Sequence, residues 1–191
     1  MESIYLKLAE NRTLETERLL LRPVILDDAE DMFEYSSDEE NTRYTFLPNK
    51  DLEETKNVIA RLFMGWPLGN WGIELKENGK LIGGIDLHKL DPVLKKAAIG
   101  YVVHKNYWNQ GLTTEALKEI IQLFFESLDM NMLVALHDVE NPASGRVMEK
   151  AGMKFSHIAP YAALDEHEEG RISQRAYYRL TKEDYFKKIL M

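Results

Sequence analysis

The residues best suited to chemistry in this sequence lie in two stretches. The first is Ile99-Gly100-Tyr101-Val102-Val103-His104-Lys105-Asn106-Tyr107-Trp108-Asn109-Gln110-Gly111-Leu112-Thr113-Thr114-Glu115-Ala116-Leu117. It reads as a buried strand, a short polar loop, a glycine and the first turn of a long helix. The opening amides of a helix have no partner within it, and the macrodipole adds partial positive charge there. Gly111 lets the backbone approach an anion closely, and Thr113 and Thr114 add hydroxyl donors, so a pyrophosphate fits this turn. The same pattern also occurs as an ordinary turn before a helix. Neither Gly-x-x-x-x-Gly-Lys-Ser/Thr nor Gly-x-Gly-x-x-Gly after a strand is present, which sets aside P-loop hydrolysis and Rossmann dinucleotide binding. The second stretch is Asn141-Pro142-Ala143-Ser144-Gly145-Arg146-Val147-Met148-Glu149-Lys150-Ala151-Gly152-Met153. Asn141 is a near-ideal N-cap, Pro142 suits the first helical position and Gly152 the position after the last.

Regular elements must hold these residues. Glu15 to Pro23 contains a short apolar run ended by proline, read as a strand. Asp27-Asp28-Ala29-Glu30 carries a variant capping box, with Ala29, Met32 and Phe33 as the apolar face of the helix that follows. Asp51-Leu52-Glu53-Glu54 repeats the start signal for a second helix, which breaks at Gly65, Pro67 and Gly69. Strands are expected over Trp71 to Lys76, Lys80 to Leu87 and Ala97 to Val103, with turns at Asn78-Gly79 and Asp91-Pro92. Leu117, Ile120, Ile121, Phe124 and Leu128 follow helical spacing. Further strands are expected at Met132 to Leu136, Phe155 to Ala159 and Arg175 to Leu180. The order β-α-α-β-β-β-α-β-α-β-β implies an α+β (mixed α/β) fold, a largely antiparallel mixed sheet flanked by helices. Residues 1–191 show no repeat or linker, so a single domain is expected.

Composition narrows the function classes. There is no cysteine, which removes disulfides, thiolate metal sites and a cysteine nucleophile together. No spacing is persuasive for metal ligands, and His167-Glu168-Glu169 reads as an exposed acidic loop, so no metal is expected. A net charge of -8 argues against general nucleic-acid binding and is compatible with a cationic substrate or simply with solubility. No apolar run reads as a signal peptide or membrane span, so the expected location is cytoplasmic, with no membrane partner.

Gly100-Tyr101-Val102-Val103 followed by Tyr107-Trp108-Asn109-Gln110-Gly111-Leu112-Thr113-Thr114-Glu115-Ala116 resembles the acyl-CoA-binding motif of the GNAT acetyltransferase superfamily. The likeness is greatest to the ribosomal-protein alanine (Rim-type) branch. The block Asn141 to Met153 agrees, and Thr16-Glu17-Arg18-Leu19-Leu20-Leu21-Arg22 resembles that branch's first strand. The likeness runs from about Leu14 to about Tyr185. It implies the GNAT acyl-CoA N-acyltransferase fold, a sheet splayed after the motif strand, and acetyl-CoA as co-substrate. In such a site Tyr101, Val102 and Val103 pair with the pantetheine arm. Trp108, Asn109, Gln110, Gly111, Leu112, Thr113 and Thr114 cradle the pyrophosphate, and Asn141 and Ser144 lie beside the thioester. One departure is that Trp108 and Thr113 stand where the superfamily motif often has arginine or glutamine and glycine or alanine.

The resemblance implies an N-acetyltransferase acting on a primary amine, either a protein N-terminus or a small amine, by direct attack in a ternary complex. A backbone amide near Val102 or Val103 would polarise the carbonyl, and Ser144 would protonate the leaving thiolate. Members of the branch often carry a glutamate two residues before the Gly-Tyr pair; here the residue is Ala98. Substitute bases are His88, Glu74, Asp86 or a relay of bulk water. The alternative is a non-catalytic acyl-CoA-binding sensor or regulatory module. Homodimers are frequent in the family, although no stripe in this sequence demands one.

Overall fold

The computed structural model describes residues 3–189. Its described residues form two compact units, one of residues 3–86 and 101–116, the other of residues 87–100 and 117–189. The helices are α1 (Ile4–Glu10), α2 (Ala29–Ser36), α3 (Glu39–Thr42), α4 (Leu52–Val58), α5 (Leu112–Gln122), α6 (Pro142–Ala151) and α7 (Lys182–Ile189). The strands are β1 (Leu14–Glu15), β2 (Leu19–Arg22), β3 (Asn70–Leu75), β4 (Lys80–Asp91), β5 (Lys96–Val103), β6 (Met132–Asp138), β7 (Lys154–Leu164) and β8 (Ile172–Thr181). They hydrogen-bond in the order β1-β2-β3-β4-β5-β6-β8-β7. The pairs β1/β2, β2/β3, β3/β4, β6/β8 and β7/β8 are antiparallel, and β5/β6 is parallel. The α+β class and the largely antiparallel mixed sheet expected from the sequence are both present.

In the first unit the expected opening strand is two short ones, β1 and β2, joined by a tight turn in which the Thr16 N–H donates to the Leu19 carbonyl at 3.0 Å. The helix expected after Asp27, α2, starts at Ala29 and is preceded by a 3-10 turn over Leu26–Asp28. The carboxylate that closes it is Asp28, accepting the Ile25 N–H at 2.8 Å, and not Asp27. The Asp28 carboxylate is also held by both terminal nitrogens of Arg22, at 2.7 and 2.8 Å, and the Arg22 Nε–H donates to Glu74 at 2.5 Å. The Asp28 hydrogen bond in particular raises the Arg22 pKa, against burial. The apolar face of α2 also differs: Tyr35 is 2% exposed and belongs to the core, whereas Phe33 is half-buried. That core gathers Val24, Ala29, Met32, Tyr35, Ile59 and Leu81, with Val102 of β5 packed against it. Burying each of its larger aliphatic side chains is worth about 1.5–3 kcal/mol.

Asp51 caps α4 as expected, accepting the Glu54 N–H at 2.8 Å. The β3/β4 hairpin is also as expected, but its loop spans four residues, 76–79, and only Gly79 is left-handed, with φ +71°. Helix α1 was not foreseen in the sequence. It is mostly exposed, burying Leu8, and the Trp71 indole anchors its end by donating to the Asn11 carbonyl at 3.1 Å.

In the second unit the turn at Asp91 is an Asx turn, its carboxylate accepting the N–H groups of Val93 and Leu94 at 3.0 and 2.9 Å. The expected stripe Leu117, Ile120, Ile121, Phe124 and Leu128 is buried throughout, at 4% exposure or less. The last turn of that helix, Leu123–Ser127, widens to π geometry. The β5/β6 ladder runs from Lys96↔Met132 to Ala98↔Val134 and stops there, although β6 continues to Asp138. Strands β7 and β8 extend well beyond the expected spans, and α7 adds an unforeseen helix whose Tyr185 stacks on Phe125 at 4.9 Å. Among the described residues no helix is long and apolar enough to cross a membrane.

Candidate active site

The motif strand ends at Val103, and the backbone there is sided. The His104 N–H donates to the Ile82 carbonyl of β4 at 2.7 Å. Strand alternation therefore turns the amide of Val102 toward β4 and that of Val103 away from it. The Val103 carbonyl is already engaged, accepting the Trp108 indole N–H at 2.7 Å and the Asn41 amide at 3.3 Å. Asn41 also accepts the Lys105 N–H at 2.6 Å, so one buried side chain fixes the exit from β5.

The loop that follows opens with a 3-10 turn, Lys105–Tyr107, capped by the His104 ring, whose Nδ1 accepts the Asn106 N–H at 3.1 Å. The Trp108 N–H donates to the Lys105 carbonyl at 3.1 Å. Both Trp108 N–H groups thus have partners within the protein, the backbone one in the loop and the indole one at the end of β5. Beyond it the backbone changes hand. Asn109 has φ +60° and Gly111 φ +80°, so left-handed residues alternate with Gln110. Successive N–H groups in such a conformation converge into an anion-binding concavity. A Cβ on Gly111 would meet only Arg18 Nη2, at 3.6 Å, so glycine is needed for its φ and not for space. The first helical bond across the junction is Glu115 N–H to Gly111 carbonyl at 3.0 Å, and the amides of Leu112, Thr113 and Thr114 precede it.

Glu115 lies in the first turn of α5 and fastens the N-terminal hairpin to this loop. Its carboxylate accepts the Thr16 hydroxyl at 2.6 Å, the Arg18 N–H at 2.9 Å and the Arg18 Nε–H at 2.7 Å. Burial would raise the Glu115 pKa, but the Thr16 and Arg18 hydrogen bonds and the Arg18 charge outweigh it and hold it below the usual carboxylate value. Arg18 Nη1 also donates to the Gln110 carbonyl at 3.0 Å. Sequence reasoning saw Thr16 and Arg18 only as part of a strand; their link to the loop across 97 residues carries no local signal.

The second unit holds the other candidates. Asn141 caps α6 as expected: its side chain accepts the Ser144 N–H at 3.3 Å, with Pro142 at the first turn and Gly152 left-handed at the end. Ser144 is half-buried, and Gly145 beside it is buried. A Cβ on Gly145 would come within 2.7 Å of His137 Nε2 and 3.1 Å of the Tyr178 hydroxyl, so this glycine is required for close packing. His137 is 9% exposed; its Nδ1 lies 2.7 Å from the Asp138 carbonyl, while the buried Nε2 has no hydrogen-bond partner. The Tyr178 hydroxyl donates to Glu149 at 3.1 Å, and burial first, then Glu149, pushes its pKa up, so it stays a neutral donor. The sequence did not single out His137, because a lone histidine in an apolar strand carries no signature. His88 lies exposed on β4. Of the other substitute bases, Glu74 is committed to Arg22, and Asp86 is half-buried. Among the described residues no group of three or more histidines, cysteines or acids is placed to hold a metal ion.

Residues 18–154 match the model of the acetyltransferase (GNAT) domain. An uncharacterized N-acetyltransferase of Bacillus subtilis (strain 168), YoaA, is 33% identical over 145 residues, covering 74% of this chain and 82% of the relative. The ribosomal-protein-serine acetyltransferase of Escherichia coli (strain K12) is 28% identical over 119 residues, covering 62% of this chain and 60% of the relative. Among solved structures, a GNAT-family acetyltransferase from Bacillus anthracis superposes with a TM-score of 0.80 at 27% identity, over 90% of this chain and 99% of that one. The chain belongs to the GNAT acetyltransferase family, and it is an acetyl-CoA-dependent N-acetyltransferase. Its relatives include members of the ribosomal-protein acetyltransferase branch.

Proposed function

We propose that the whole chain acts as one catalytic domain that moves the acetyl group of acetyl-CoA to a primary amine, a protein N-terminus or a small amine, by direct attack in a ternary complex. The observation that carries the donor side is the pair of left-handed residues, Asn109 and Gly111, immediately before α5. Amides from Asn109 to Thr114 bind the pyrophosphate, with Trp108 bracing the loop from outside. The pantetheine arm runs along the end of β5. Of the two motif-strand amides considered for the thioester oxygen, Val103 is the one that faces away from β4, so it supplies the polarising donor.

The amine attacks the thioester carbonyl as the neutral base, the C–S bond breaks and the thiolate leaves. Ser144 donates the proton that the thiolate takes up and regains one from solvent. Its amide is occupied by the Asn141 cap, which fixes the backbone from which the hydroxyl projects. The amine loses its proton to His88, to Asp86 or to a water relay, since the Glu74 carboxylate already receives Arg22. The name of the Escherichia coli relative, a ribosomal-protein-serine acetyltransferase, supports a protein acceptor, and the net charge of -8 is compatible with a cationic one.

Thiol release from acetyl-CoA, followed across N-terminal peptides, polyamines, amino acids and aminoglycosides, tests this reading. Turnover with at least one amine is expected, together with a rise in Tm on adding acetyl-CoA. A Tm rise without turnover on any amine favours the sensor reading that Ala98 keeps open. Neither response sinks both.

A further inference from the structure

The segment that would hold the pyrophosphate, Trp108 to Thr114, contains no cationic side chain. The next basic residue upstream, Lys105, is tied to Asp38 at 2.6 Å and Glu40 at 3.0 Å. The first turn of α5 also carries a carboxylate, Glu115, whose charge would oppose an anion on that turn. Arg18 answers both features. Its guanidinium takes the Glu115 carboxylate through Nε and Nη2, each at 2.7 Å, and the Gln110 carbonyl through Nη1 at 3.0 Å. Three of the five N–H donors of a guanidinium are thereby used, and two remain for another acceptor. The group lies against the loop at Gly111, where a Cβ would be 3.6 Å from Nη2, and the side chain is 43% exposed.

We propose that Arg18 is a donor-binding residue, the cation of the pyrophosphate subsite, supplied by the N-terminal hairpin and aimed by Glu115 and the Gln110 carbonyl. This deepens the proposed function and rests on its placement of the pyrophosphate on residues 109–114. A guanidinium fixed at three points presents its remaining donors to phosphate oxygens without further ordering. Glu115 then acts as the positioning residue, and its own charge is neutralised by the group it aims.

Binding of CoA, 3′-dephospho-CoA and pantetheine to the full chain separates this role from a merely structural tether. Arg18→Gln is expected to weaken CoA and dephospho-CoA alike, by about 10-fold or more, and to leave pantetheine within twofold. The CoA deficit shrinks as salt is raised, because an exposed charge is screened. Thr16→Val removes one tether to Glu115 without removing charge, and is expected to change CoA affinity by less than threefold. If Arg18→Gln does not fold, Arg18→Lys carries the test, with a CoA-specific loss of a few fold as the fork is replaced by a point charge.

Unchanged CoA affinity in the variants, or equal loss of pantetheine, overturns the assignment. A loss confined to CoA and absent with dephospho-CoA overturns it as well, because the contact would then be to the ribose phosphate. Failure of the unaltered protein to bind CoA at all removes the donor reading itself, a result distinct from any of these.

Discussion

Two helix N-termini carry the candidate chemistry, and they are finished in opposite ways. At α6 the turn is closed by side chains: Asn141 accepts the Ser144 N–H, and Pro142 has no N–H to satisfy. At α5 the residue before the helix is Gly111, which has no side chain to close the turn, and the backbone before it alternates hand. A closed terminus spends an amide within the protein, here that of Ser144, and leaves that residue's side chain for the role proposed above. An open terminus offers its amides outward and needs no reactive side chain at all. On the proposed reading, the difference separates holding an anion from moving a proton.

The comparison breaks most directly at Gly111. Gly111→Asp installs the missing cap and a negative charge, making α5 resemble α6, and is expected to weaken CoA binding by about 100-fold or more, from a lost amide concavity plus charge repulsion. Calorimetric titration checks this, and a Kd within threefold of the unaltered protein would refute the open-terminus interpretation. Ser144→Ala should act on the other side only. The rate of thiol release is expected to fall about 100-fold, as for loss of a general acid, with the KM for acetyl-CoA within twofold. A parallel rise in KM would move Ser144 from proton transfer to donor binding.

Gly145→Ala probes the packing that holds the closed terminus. The new methyl meets His137 Nε2 at 2.7 Å and the Tyr178 hydroxyl at 3.1 Å. A stability loss of about 1–3 kcal/mol is expected from overpacking. That corresponds to a fall in Tm of roughly 2–4 °C per kcal/mol for a chain of this size. Urea titration that shows no loss would mean the α6 backbone gives way easily.

The smallest effect is expected at Asp129, which neither terminus uses. Lys182 first, and then Lys95, hold its pKa down to about 2. A depressed carboxylate contributes stability that is present above its unfolded pKa, roughly 3.9, and is lost as pH falls through the folded value. Asp129→Asn is therefore expected to be slightly less stable at pH 6, with the gap closing between pH 4 and pH 2. A gap independent of pH would show that the two lysines do not act through this charge.

Much of the fold was legible because its signals are local. The apolar stripe of α5, the Asn141-Pro142 start with its Gly152 end, and the Asp91 turn each declare themselves within a dozen residues, and each stands in the structure as expected. Helices α1 and α7 were not legible: α1 buries only Leu8, and the described part of α7 is held by Tyr185 stacking on Phe125, a partner distant in sequence. The two motifs of the candidate site were readable as patterns, but their internal wiring was not. Nothing in the motif announces the Trp108 indole bond to the Val103 carbonyl, and nothing near Arg18 in sequence points to Gln110. Such links pair residues far apart along the chain, and short windows of sequence do not contain them.

The ties among Thr16, Arg18 and Glu115 also bear on the order in which the molecule is made. They close a chain segment of about one hundred residues, and the unit they complete is interrupted by residues 87–100, which fold with the other unit. Contacts of such long sequence separation are reached slowly, because the closure entropy must be met before the bonds reward it. On a ribosome the opening hairpin must wait for its carboxylate partner to emerge before the loop at Gly111 can be fastened. Formation of the hairpin and fastening of the Gly111 loop therefore become separable in time, the fastening being among the last steps in completing the first unit.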